Sequence, residues 1–212
     1  MWRLYAFVVI AFLTLRASAA HAGDIAFSLS NMRGAAVSDA VVTVYPQDFG
    51  RAESFKFDWP LEVDQKNLQF APFVLIVPVG SGVSFPNRDT VRHHVYSFSP
   101  AKPFELKLYS RDESRSVRFD KVGVVALGCN IHDNMVAFIK VVDTPYAAKA
   151  DAAGLATVRG VPAGMVQVRI WHPYLKAPNN EIVRAVMVSA SGVVREAVKL
   201  DTRAAPDRRG AY

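Results

Sequence analysis

A single cysteine, Cys129, is present in 212 residues, so no disulfide can staple the fold from within. In an oxidising compartment, a lone thiol must be buried or metal-bound to survive. Other absences narrow the field further. No apolar run is long enough to span a bilayer; Leu4 to Leu15 is too short. No glycine loop precedes a helix in the manner of a nucleotide site, and Gly80-x-Gly82 reads as a structural turn before a strand. No segment carries a long amphipathic helical period, and no low-complexity run interrupts the chain. The formal charge of +6 is modest and its basic residues are scattered, whereas nucleic-acid readers gather Lys and Arg on one face. Ser97 and Ser99 lie near His93-His94, but no acid is placed by sequence to orient a histidine. A hydrolytic triad is therefore not expected, nor is any other enzyme.

What is present is β-strand signal in two series. Met1 to Ala22 reads as a secretory leader: Arg3, an apolar stretch, then Ala20-His21-Ala22 as a small-x-small cleavage site. It implies a periplasmic, soluble mature protein. Ile25 to Leu29 and Val41 to Tyr45 are predicted strands around a turn at Asn31 to Gly34, and Gln47 to Pro60 has no period and holds a domain boundary. Short apolar runs follow at regular spacing, Phe73 to Val79, Val83 to Phe85, Val95 to Phe98, Phe104 to Leu108, Val117 to Phe119, Val124 to Leu127 and Val136 to Val142. Beyond Val142 come Leu155 to Val158, Val166 to Trp171 and a closing hairpin of Glu181 to Val188 with Val193 to Leu200. Residues 202–212, with Arg203, Arg208 and Arg209, read as a basic disordered tail. The class is all-β.

The chemistry gathers at Gly128-Cys-Asn-Ile-His-Asp-Asn-Met135, a short loop between two apolar strands. Cys129, His132 and Met135 supply a thiolate, an imidazole and a thioether, and His93-His94 supplies a further imidazole. Two imidazoles and a thiolate in plane with a weak axial thioether are the donors of blue-copper electron-transfer centres. Zinc is the rival metal, but a thioether is a poor zinc ligand. Cys129 has a plainer reading as a buried hydrophobe. His172 reads as a hydrogen-bonded structural histidine, Met32, Met165 and Met187 as packing or turn residues, and Asp133 as a solvating loop residue.

Phe70-x-Pro72, Val77-x-Val79-Gly80, Val83-x-Phe85-x-Asn87-x-Asp89 and His93, followed by Cys129-x2-His132-x2-Met135, resemble the cupredoxin pattern, with the ligand spacing of its amicyanin members. The resemblance covers Leu61 to Val142. With Asp143-Thr-Pro-Tyr146 and Trp171-His-Pro173, the chain is also similar to methylamine utilisation proteins of cupredoxin type. The resemblance implies one mononuclear type 1 copper held by His93, Cys129, His132 and Met135, and soluble one-electron transfer to redox partner proteins. It also implies an electron port at His132, for which Ile131, Val136 and Ala137 are candidate surroundings. His94 stands where many members have an asparagine; it either ties the two ligand loops together or competes for the metal. Gly34 to Val41, with Asp151 to Gly154 and Val161 to Gly164, resemble carboxypeptidase regulatory-like domains. The expected fold is a cupredoxin Greek-key sandwich, residues 60–142, inserted in, or followed by, a second small β-sandwich; in the inserted arrangement that second sandwich is discontinuous, residues 23–46 and 143–201. A copper chaperone or store, or a structural envelope protein with a vestigial site, is the alternative function.

Overall fold

The computed structural model describes residues 22–47, 50 and 54–205. The leader, apart from Ala22, and residues 206–212 of the tail lie outside them. The fold is all-β among the described residues, with one short 3-10 turn at Pro178–Asn180.

Two strands come first, β1 (Ala22–Asn31) and β2 (Val41–Pro46). Next are β3 (Asp64–Lys66), β4 (Gln69–Ala71), β5 (Val74–Pro78), β6 (Ser81–Pro86), β7 (His93–Ser97), β8 (Phe104–Tyr109), β9 (Ser114–Phe119), β10 (Gly123–Gly128) and β11 (Val136–Val142). The chain closes with β12 (Ala147–Lys149), β13 (Leu155–Pro162), β14 (Gly164–Trp171), β15 (Glu181–Val188) and β16 (Val193–Leu200). Period-two alternation decides what each strand buries. In β1 it turns Ile25, Phe27 and Leu29 inward. β5 is buried at every position, because a core lies on both of its faces.

The middle strands form one body. Its main sheet runs β5-β11-β10-β7-β8, with β6-β9 and the β3-β4 hairpin as separate pairs. Val77, Val83, Phe85, Val95, Phe119, Leu127 and Ile139 fill the core that also contains Cys129 and Met135. The first two and last five strands make two further sheets, β13-β1-β16 and β12-β2-β14-β15. These share a separate core that includes Ile25, Phe27, Leu29, Val42, Val44, Val168, Ile170 and Val198. A third cluster joins the bodies: Val74, Ile76 and Val142 meet Val41 and Trp171, with Phe55, Phe57, Trp59 and Phe138 against them. Lys140 pairs with Glu181 at 2.8 Å and lies over the Trp171 ring. The outward carbonyls of edge strand β5 are taken by side chains, Ile76 by Trp59 Nε1 and Val74 by Lys149 Nζ, both at 2.9 Å. Such capping blunts an edge that would otherwise recruit another strand.

Three expectations are corrected. β15 and β16 are not a hairpin: β15 pairs with β14 and β16 runs parallel to β1, so the connection at 189–192 crosses between sheets. β3, β4 and β12 were not foreseen. Of the tail, Thr202 bridges to Leu175 and the Arg203 N–H donates to the Tyr174 carbonyl, so these two residues belong to the ordered structure.

Candidate metal centre

β7 and β10 are neighbours in the main sheet, and this brings His93 to the loop that follows β10. Alternation along β7 points His93, Val95 and Ser97 into the core and His94, Tyr96 and Phe98 to the other face. After Gly128 the chain turns back over His132, whose carbonyl accepts the Met135 N–H at 3.0 Å, and enters β11. That tight turn sets three donor side chains within seven residues.

His93 Nδ1 stands 4.0 Å from the Cys129 sulfur and His132 Nδ1 stands 3.8 Å from it. The three donor atoms lie within 4.8 Å of one another. Met135 is fully buried in the core that holds Cys129. His93 and Cys129 are buried, and His132 is half-buried. The structure thus gathers His93, Cys129 and His132 at one point and leaves His94 outside that group.

Asp89 fixes the orientation of His93. Its carboxylate accepts from His93 Nε2 at 2.7 Å and from the N–H groups of Asn67 and Leu68 at 2.7 and 2.9 Å. Those two residues form the β3–β4 turn at positive φ, 55° and 56°. A carboxylate accepts only, so the proton sits on Nε2 and Nδ1 is the nitrogen turned to sulfur. His94 makes a parallel contact through Nε2 to Glu105 at 2.9 Å, and its Nδ1 is buried without a partner. Both acids were missed in the sequence. The spacing Asp89 to His93 was visible, but its meaning depended on where the β3–β4 turn lies.

Burial works against the Cys129 thiolate, yet hydrogen bonds from His93, from the backbone N–H groups of His94 and Ile131 and from His132 prevail and bring its pKa down to about 6. At His93 burial disfavours the cation, but Cys129 and Asp89 outweigh it and the pKa rises. Asp89 is held below its ordinary value: burial pushes it up, and the Leu68 N–H, His93 and the Asn67 N–H push it down further.

These residues fit a resident metal. Bonds of about 2.0 Å to nitrogen and 2.3 Å to thiolate, opened near a trigonal angle, place such donors about 3.7 Å apart. Asp89 holds the ring proton of His93 on Nε2, which leaves the Nδ1 lone pair turned to the sulfur and available to a metal.

Other expected positions are plain. Ile131 is 47% exposed and Val136 half-buried, but Ala137 is fully buried and cannot line a surface patch. Asp133 is exposed. His172 Nδ1 accepts the Tyr174 N–H at 3.2 Å, and burial lowers its pKa. Met165 and Met187 face each other across β14 and β15 with exposed side chains, and Met32 is exposed in the first turn.

The fold and site together describe an all-β protein with a buried thiolate set between two imidazoles. No family model matches the chain, and no curated protein matches it. Among solved structures it is similar to a copper-containing nitrite reductase from Thermus scotoductus, at 26% identity over 44% of this chain and 25% of that one, TM-score 0.38. It is also similar to a purple cupredoxin from Nitrosopumilus maritimus, at 22% over 38% of this chain and 98% of that one, TM-score 0.35. A reduced amicyanin variant matches at 21% over 48% and 98%, TM-score 0.37. The chain spans a quarter of the reductase's length and nearly all of the two smaller proteins.

Proposed function

We propose that the protein is a periplasmic type 1 copper protein that carries single electrons between redox partner proteins, with His93, Cys129, His132 and Met135 as ligands. The observation that carries this reading is the pair of Nδ1 atoms turned on one buried sulfur at 4.0 and 3.8 Å. Copper bound there would cycle between its two oxidation states, exchanging one electron and no atoms. Cys129 supplies the thiolate at neutral pH, and Asp89 holds the Nδ1 atom of His93 inward. His132 reaches the half-buried edge where a partner can approach, and Met135 closes the site from within the core. All four donors being protein groups leaves no position for a substrate, which supports a carrier rather than an enzyme. In this reading residues 60–142 are the cupredoxin domain, inserted in a carboxypeptidase regulatory-like sandwich of residues 23–46 and 143–201. The methylamine-utilisation resemblance suggests the setting in which it works.

A copper store or chaperone is the second reading, favoured by the half-buried His132, which gives metal a way in. Copper titration decides between them. The carrier should become intensely coloured and should bleach and recover on repeated reduction and oxidation. A store would take up copper(I) without a reversible coloured state. Cys129→Ser should abolish the thiolate-to-copper band, and a variant that keeps its colour would refute the ligand set. Met135→Leu should retain the metal and raise the reduction potential, because an axial donor favours copper(II). Copper should also raise the melting temperature, since it binds the native state.

A further inference from the structure

The outer sandwich carries a polar pocket of about 470 Å³, within the range of about 300–1,000 Å³ that small-molecule sites occupy. Four segments meet there: the first turn, the stretch leading into β2, the stretch after β14 and the chain beyond β16. Their backbones are fixed. Asn31 Oδ1 accepts the Arg33 and Ala35 N–H groups at 2.9 and 3.0 Å. Thr202 bridges to Leu175, and the Lys176 N–H donates to the Asp201 carbonyl at 2.8 Å. The buried wall is His172, whose Nδ1 accepts the Tyr174 N–H and whose other nitrogen meets the Ser38 backbone. The exposed lining sets Arg33, Lys176 and Arg203 against one carboxylate, Asp201. Lys176 pairs with that carboxylate at 3.0 Å. The two guanidinium groups have no hydrogen-bond or ion-pair partner among the described residues. Gathering unneutralised cations at one pocket costs Coulomb energy, and no other group of the lining offsets it.

We infer that this pocket binds a phosphate group, carried by a soluble phosphate ester or by a phospholipid headgroup. A guanidinium presents its N–H groups as a planar fork that matches phosphate oxygens. Arg33 and Arg203 reach the pocket from separate segments, and a tetrahedral phosphate offers oxygens to two forks at once, whereas the two oxygens of a carboxylate lie in one plane and suit a single fork. Lys176 adds a point charge. The Asn31 side-chain nitrogen is a neutral donor beside them, since only its Oδ1 atom is spent on the turn. The volume leaves room for the group to which the phosphate is attached. Past Ala205, on the pocket wall, the sequence continues Pro206-Asp207-Arg208-Arg209, which tethers further net positive charge close by. None of this depends on copper.

The test uses the metal-free protein in two arms, each run at pH 7.5 and fixed ionic strength. In the first, glycerol 3-phosphate is titrated against sodium chloride while the melting temperature and the heat of binding are followed. In the second, the protein is sedimented with phosphatidylcholine vesicles that contain or lack phosphatidylglycerol. Arg33→Gln and Arg203→Gln should each weaken binding about tenfold or more, and Arg195→Gln, an exposed charge on β16, should leave it unchanged. Both pocket variants should melt with the parent when no ligand is present, because the side chains they remove are exposed and unpaired. Saturable binding of glycerol 3-phosphate that needs Arg33 and Arg203, without sedimentation, assigns the pocket to a soluble ester. Sedimentation that needs phosphatidylglycerol and the same two arginines assigns it to a headgroup. Binding in neither arm, or an equal loss in Arg195→Gln, would overturn the site and leave only diffuse surface charge.

Discussion

A thiol enclosed in an apolar core ordinarily keeps its proton, because its anion loses the solvation of water. Cys129 departs from that rule through the two imidazoles and two backbone N–H groups around it, which bring its pKa to about 6. The metal-free protein should therefore show a thiolate ultraviolet band that titrates near pH 6. The sign of the linked stability follows from a folded value below the ordinary 9.0. This group's contribution is fully present above the unfolded pKa and is lost as pH falls through about 6. The Cys129 contribution is isolated by comparison with Cys129→Ser: the difference in melting temperature between the metal-free protein and this variant should move in favour of the cysteine form from pH 5 to pH 8, and a titration midpoint near 9 would remove the arrangement described around the sulfur. Asp89 carries a different kind of weight, since one carboxylate ties the β3–β4 turn to the ring of His93. Asp89→Ala removes three hydrogen bonds to an ionised group and should cost about 2–3 kcal/mol in chemical denaturation. It should also weaken copper by about 10–100-fold in competition with a chelator, as loss of a partner behind a metal-binding histidine does. An unchanged affinity would mean that the ring holds its orientation without the acid.

At the scale of elements, alternation in the sequence marks faces but not partners. Glu181 to Val188 and Val193 to Leu200 are legible to the residue, yet their pairing is not: β15 turns back on β14, the strand before it, while β16 exchanges hydrogen bonds with β1 at the far end of the chain. β3 and β4 are short and largely polar, and no periodicity marks them; they are held by each other and by bridges from Glu62 to Ser84 and Gln65 to Asn87. The loop donors Cys129, His132 and Met135 stand out because their closeness is written in spacing alone. Bringing His93 to them depends on β7 lying beside β10, and the role of Asp89 depends on a turn formed by yet another hairpin. Turns offer a sharper test. Gly154 sits at φ 76°, and its carbonyl accepts the Leu29 N–H at 2.8 Å; a Cβ there would collide with the Leu29 carbonyl oxygen. Gly192, at φ 82°, has open space around it. Gly192→Ala should cost about 1 kcal/mol, the conformational term alone. Gly154→Ala should cost about 2–4 kcal/mol, because steric displacement adds to the same strain. Equal losses in denaturant would show that the β1–β13 junction yields without penalty.

At the scale of the molecule, the first two strands are central where sequence order would leave them peripheral. β1 lies between β13 and β16, and β2 lies between β12 and β14. Each outer sheet therefore depends on residues that enter it before the metal-binding body is made. Ile25, Phe27, Leu29, Val42 and Val44 are all buried in the shared core, and Val41 reaches the cluster between the bodies. A chain that starts at Ser54 would lose both middle strands. It would keep Phe55, Phe57 and Trp59, which cover the outer face of β5 and β11. The donors to Cys129 come from β7 and the loop after β10, and the β3–β4 turn holds Asp89 behind His93; none of these pairs with β1 or β2. The expected result is a split outcome. The C-terminal strands, left with two divided sheets and bare edges, should unfold or aggregate, while the soluble fraction retains the thiolate titration near pH 6 and takes up copper. Adding residues 22–47 as a separate peptide should restore solubility, because β1 and β2 contribute hydrogen-bonding edges that no other strand supplies. A truncated chain that is monomeric with its C-terminal strands intact would refute the discontinuous sandwich. Loss of the thiolate signal with those strands still folded would show that the metal-binding body needs its host to fold.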